Sequence, residues 1–214
     1  MGYDAFDEAR DAMYDEISRE LYPEHKAKAI IEFTTARLQS YYTTYPAVMR
    51  PAVDCIQEGR RLQANGHSGA ALVFFVTAIE LLLKATLLKP VVHGLVHSEG
   101  LAEVIVAQAL GQPGFDRYTK LLARLFSELV GLNIAAIARD GAEEALLAEC
   151  TAQQLLRNRI IHQGAGTTPE QAEMARLVSV AVYELVVLPM IAHLGLKVVA
   201  RGEIKRVSEA NSQT

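Results

Sequence analysis

From Gly69 to Lys89 almost every residue is apolar, and Thr77, Glu80 and Lys84 fall at positions i, i+3 and i+7 of that run. On a helix of 3.6 residues per turn these three make one narrow polar stripe along an otherwise hydrophobic rod. Such a rod is stable only when other elements cover it. Elsewhere the apolar residues also recur at three- and four-residue spacing, with no period-two alternation. The expected fold is therefore all-α: an antiparallel up-and-down helical bundle with short loops, preceded by an N-terminal helical extension.

Breakers divide the chain. Asp4 to Leu21 reads as an acidic amphipathic helix with Phe6, Ala9, Met13 and Ile17 on one side, closed by Tyr22-Pro23. Glu24 to Tyr41 reads as a second helix and Tyr42 to Tyr45 as a connector, so residues 1–50 are expected to form a helical arm. The bundle is expected over 51–196. Its first helix, Ala52 to Leu62, stops at Asn65-Gly66, and Ser68 is placed to N-cap the apolar helix, which ends at Pro90. Helices from Ser98 to Leu110, Phe115 to Arg139 and Glu143 to Ile161 follow, separated by Gly111-Gln112-Pro113-Gly114 and Asp140-Gly141. Thr168, Pro169 and Gln171 spell an N-cap, a first-turn proline and a capping box for a last helix reaching Leu196, kinked near Pro189. Residues 197–214, with Lys197, Arg201, Lys205 and Arg206, read as a basic, partly disordered tail.

At 214 residues, half of them hydrophobic, the chain can bury one domain's core. Its net charge of −4 excludes bulk electrostatic coating of nucleic acid, so any such contact must be local. Cys55 and Cys150 stand far apart with no CxxC spacing, which fits buried thiols in a reducing, cytoplasmic setting. The acidic start Met1-Gly2-Tyr3-Asp4 does not read as a signal peptide. Leu177 to Leu196 has the length of a membrane span, yet it carries Glu184, Pro189 and His193, so a core or interface helix is expected and no membrane partner.

Chemistry concentrates in Arg157-Asn158-Arg159-Ile160-Ile161-His162-Gln163-Gly164. There a fixed cation, a small amide and a titratable imidazole share the end of an apolar helix. Arginine-to-histidine gaps of this kind arise by chance, and Arg19 to His25 and Arg61 to His67 also have one. Those two cross Pro23 and Asn65-Gly66, whereas Arg157 to His162 lies within one helical pattern. At about 100° per residue Asn158 and His162 share a face, while Arg157 points about 140° away from His162. Either the helix loosens before Gly164, or a second copy of the chain completes the site. The plainer reading is that these residues answer the dipole at a helix C-terminus, with Gly164 as the terminating residue.

His93 and His97, with Glu99 nearby, have metal-ligand spacing but no evident third ligand, so no metal or cofactor is expected. Gly164-Ala165-Gly166 lacks the preceding strand of a nucleotide loop and reads as a helix–helix turn. Glu80 and Lys84 read as an ion pair one turn apart, or, if buried, as the polar lining of a cleft.

A helical bundle with Arg157-Asn158-x-x-x-His162 between its last two long helices resembles the HEPN superfamily, whose hallmark is Arg-x4–6-His, often with a polar residue after the arginine. Ala78-Ile79-Glu80-Leu81-Leu82-Leu83-Lys84-Ala85 looks like the helix that commonly opens such domains, and the resemblance covers roughly residues 51–196. It implies a homodimer whose two motifs face each other and cleave RNA without metal, in the manner of toxins or phage-defence proteins. Arg157 and His162 are then catalytic, Asn158 orients or binds phosphate, and Glu80 and Lys84 support. The ribose 2′-OH is the nucleophile, histidine moves protons and arginine stabilises charge on the phosphate. An antitoxin or a nucleotidyltransferase is the further partner implied. Some family members are not nucleases but binding or regulatory partners of nucleotidyltransferases. Gly164 stands where family toxins silenced by nucleotide transfer often carry tyrosine, so the resemblance does not extend to that control.

Overall fold

Apolar stripes at helical spacing decide the architecture, and the computed structural model is all-α apart from one small hairpin. It describes residues 13, 16, 28, 32–96, 98–110, 120, 122–124, 126, 127 and 131–207. The expected first helix, the turn at Gly111 to Gly114 and the last seven residues fall mainly or wholly outside that set. The chain divides into two units, 1–37 and 38–214. In the first, residues 32–37 are helical, and the Arg37 guanidinium sits 5.5 Å over the Phe33 ring one turn earlier.

The second unit begins with α1 (residues 38–44), helical through the positions expected as a connector. Leu38, Tyr42 and Met49 are buried, so this stretch belongs to the bundle core rather than to an arm. Next come α2 (Arg50–Ala64) and α3 (Ser68–Leu81), which lie close together. Gly59 permits that approach, since a Cβ there would lie 2.7 Å from the Phe75 ring. The N-cap of α3 is His67, without a side-chain cap, and not Ser68.

The apolar helix does not end at Pro90. It widens into a π segment, Leu82–Leu88, and continues as α4 (Lys89–Leu95). Proline has no N–H and its ring crowds the carbonyl four residues back, here that of Thr86. The wider turn makes room, and the buried Tyr42 hydroxyl donates to the Thr86 carbonyl at 2.5 Å. The last long helix repeats the device: α8 (Pro169–Val182), a π segment at Tyr183–Val187, then α9 (Leu188–His193) carrying Pro189. The two π segments pack against each other within the main core.

Between α4 and α8 lie α5 (Glu99–Leu110), α6 (described at 120, 122–124, 126 and 127) and α7 (Leu146–Gln163). The helix expected to reach Arg139 stops earlier. Gly131 turns left-handed at φ 65, and only a short 3-10 turn, Ile134–Ala136, follows. Arg139 instead pins this irregular stretch to α7. Its Nε donates to Glu149 Oε2 at 2.8 Å and its Nη2 to Glu149 Oε1, with both side chains about 85% buried.

The last helix ends at His193 rather than Leu196, and the expected basic tail is partly folded. β1 (Leu196–Val199) pairs antiparallel with β2 (Glu203–Arg206), placing Leu196 opposite Arg206 and Val199 opposite Glu203. Leu196 and Ile204 are buried while Lys197 and Lys205 are half-buried, an alternation too short to stand out among charges. Gly202, at φ 73, brings the hairpin turn against Val53 of α2. Ser68–Gly94 and Pro169–His193 are long and apolar enough to cross a membrane, but 61% and 50% of their apolar windows are buried inside the protein.

Candidate functional site

The sequence cluster rides on α7 and on the turn that ends it. The helix is continuous to Gln163, and Gly164 then takes φ 64. The N–H groups of Gly164 and Ala165 bond back to the Ile160 and Arg159 carbonyls at 3.1 and 3.3 Å, which closes the helix in left-handed fashion. Beyond it, Thr168 and Gln171 form the expected capping box. The Gln171 N–H donates to Thr168 Oγ1 at 3.3 Å, and the Thr168 N–H to Gln171 Oε1 at 3.0 Å.

An unbroken α7 decides one question that the residues left open. The helix does not loosen before Gly164, so Arg157 and His162 diverge by about 140°. Arg157 is half-buried: its Nη1 donates to Asn158 Oδ1 at 3.1 Å, and its Nε is buried with no hydrogen-bond partner. His162 is exposed at the end of the helix.

Arg159, not singled out from the sequence, lies three positions before His162 and is also exposed. Neighbours at that spacing share a helix face. The solvent-facing stripe of α7 therefore carries Leu155, Arg159 and His162, bordered by Asn158. The signal for Arg159 was present in the helical periodicity. The arginine-to-histidine spacing points instead to Arg157.

Glu80 reaches α7 from α3, where its Oε1 accepts from Gln154 Nε2 at 3.0 Å. Gln154 lies one turn before Arg157 and Asn158, so Glu80 stands beside the buried flank of the cluster and away from His162. Gln153 is 8% exposed, and its Oε1 is buried without a hydrogen-bond partner, one turn before Arg157. Lys84 is half-buried in the π segment after α3. The structure thus joins Glu80 to the Arg157–Asn158 side of α7 and leaves His162 with Arg159 on the outside.

Large aliphatic side chains stay uncovered here. Leu155 is 60% exposed and Ile161 47%, and on α8 Met174 and Leu177 are 39% and 36% exposed. Beside them, Glu173 accepts from Arg176 Nε and Nη2 at 2.9 and 2.6 Å and from Gln63 of α2 at 2.8 Å. The Arg176 guanidinium, helped by Gln63, holds the Glu173 carboxyl down at about 2.

His93 stacks on Tyr41 with ring centroids 5.3 Å apart, and His97 lies outside the described residues. Among the described residues no three His, Cys, Asp or Glu side chains gather as a metal site. Burial pushes the Cys150 thiol far up and the Cys55 thiol up, so neither has the character of a ready thiolate.

No protein-family model, curated protein or solved structure matches this chain. The site therefore stands on its own residues: an exposed imidazole and cation on one helix face, an amide and a half-buried cation at its edge, and aliphatic surface around them.

Proposed function

We propose that the chain is a metal-independent endoribonuclease of the toxin or phage-defence kind, acting on RNA as a homodimer in the cytoplasm. The observation that carries this reading is the exposed face of α7, where His162 and Arg159 stand together next to Asn158 and Leu155. One such face offers a single histidine, whereas cleavage through the 2′-OH uses a base and an acid. A second copy on a two-fold axis supplies the other histidine, and the exposed Leu155 and Ile161 supply apolar surface for the contact.

The ribose 2′-oxygen attacks the adjacent phosphorus as one His162 takes its proton. The bond from phosphorus to the 5′-oxygen breaks, and His162 of the second copy protonates the leaving oxygen. The products are a 2′,3′-cyclic phosphate and a 5′-hydroxyl. Arg159, with Arg157, offers fixed charge to the phosphate oxygens, and Asn158 orients Arg157 through the hydrogen bond they share.

A second reading is a non-catalytic helical dimer that binds or regulates a partner such as a nucleotidyltransferase or an antitoxin. It is favoured by the buried, unpartnered Nε of Arg157, which keeps part of that guanidinium inside the bundle. Substitution separates the two. The nuclease reading expects Arg159→Ala and Arg157→Ala each to slow RNA cleavage in EDTA at least about tenfold, with 2′,3′-cyclic phosphate ends on the products. A wild-type dimer that leaves RNA intact would favour the regulatory reading.

A further inference from the structure

A second concave surface lies far along the chain from His162. It is a cavity of 580 Å³ where the end of α1 and the turn after it meet α4 and α5. Its size is that of a small-molecule site. Tyr41 on α1 and Tyr45, just beyond its end, form one wall, with ring centroids 4.9 Å apart and planes tilted by 44°. His93 also packs on Tyr41, with ring centroids 5.3 Å apart. Val48 and its neighbours add aliphatic surface, and Lys89 and Glu103 bring one charge of each sign.

Those two charges distinguish the cavity from a simple packing defect. Lys89 and Glu103 line the same hollow, yet among the described residues they form no ion pair with each other, and neither has a hydrogen-bond partner. A half-buried lysine and an exposed glutamate beside an aromatic wall complement a ligand that carries both signs and a flat ring.

We propose that this cavity binds a free aromatic α-amino acid, its ring against Tyr41 and Tyr45, its carboxylate at Lys89 and its ammonium at Glu103. The tyrosine faces favour both partners, since aromatic rings stack on each other and attract ammonium groups. Burial, with the neighbouring Tyr45, pushes the Tyr41 hydroxyl up to about 12, so the ring stays uncharged.

L-tryptophan is a direct probe, because the chain contains no tryptophan and the indole signal belongs to the ligand alone. Titrating the full chain into L-tryptophan is expected to give a saturable blue shift and rise in anisotropy. Lys89→Gln and Glu103→Gln are each expected to weaken binding at least about fivefold, and Tyr45→Ala about tenfold, with unchanged thermal unfolding. Tyr45 is 48% exposed, so its truncation does not threaten the core. Tryptamine, without the carboxylate, and indole-3-propionate, without the ammonium, are each expected to bind at least about fivefold more weakly than tryptophan. His162→Ala is expected to leave binding unchanged. No saturation by about 10 mM tryptophan, equal binding of either analogue, or full affinity in the charge variants overturns the proposal.

Discussion

Pro90 brings no N–H to the Thr86 carbonyl, and the Tyr42 hydroxyl reaches that carbonyl from α1 inside the core. Burial and the neighbouring Tyr41 push the Tyr42 hydroxyl far up, so it remains a donor at every ordinary pH. Tyr42→Phe leaves the carbonyl without this donor and is expected to cost about 1–3 kcal/mol in urea unfolding. An unchanged midpoint would show that the carbonyl needs no partner. Thr86 also buries a hydroxyl with no hydrogen-bond partner, so Thr86→Val is expected to be neutral or stabilising. At Arg139 the direction is the opposite. Removing it leaves the largely buried Glu149 carboxylate without its cation, and Arg139→Ala is expected to cost about 1–3 kcal/mol. Glu173 carries a pH signature. Its folded carboxyl lies at about 2 against an ordinary 4.5, so its contribution is present above about 4.5 and is lost as pH falls toward 2. Its side chain is 42% exposed, and the difference between wild type and Glu173→Gln at pH 7 is expected to stay under about 1 kcal/mol.

Helices α2 and α3 touch where Gly59 meets Phe75, and a Cβ at Gly59 falls 2.7 Å from that ring. Alanine is the better helix former by about 1 kcal/mol, but overpacking costs about 1–3 kcal/mol. Gly59→Ala is therefore expected to lower stability, and a rise in melting temperature would show that Phe75 can move aside. The helices themselves were readable because apolar periodicity, Asn65-Gly66 and the capping box at Thr168 act locally. The errors fall where distant residues intervene. Pro90 reads as a stop until Tyr42, 44 positions before Thr86, answers the Thr86 carbonyl. Arg139 reads as the end of a long helix until Glu149 holds it in an irregular segment. The hairpin at Leu196–Val199 and Glu203–Arg206 is short, and its two buried residues make only a faint alternation among charged ones.

Across the molecule, part-buried polar contacts hold Glu80 and Arg157 on one flank of α7, while His162 and Arg159 face outward beside uncovered aliphatic groups. The helix angle between Arg157 and His162 could be computed from the sequence, but only the continuity of α7 through Gln163 excludes a loosened end. In the proposed nuclease, that continuity leaves a second chain to complete the site. Leu155, 60% exposed, is the natural contact, and Leu155→Asp is expected to shift the dimer toward monomer in sedimentation and to lower cleavage with it. A variant that stays dimeric would move the contact elsewhere. The most telling measurement compares wild type with His162→Ala, matched in unfolding midpoint, on an RNA strand and its all-deoxy counterpart in EDTA. Wild type is expected to cut the RNA alone, and His162→Ala to be slower by at least about 100-fold. Equal cutting by both proteins, or any cutting of the deoxy strand, would contradict a mechanism built on His162 and the 2′-OH.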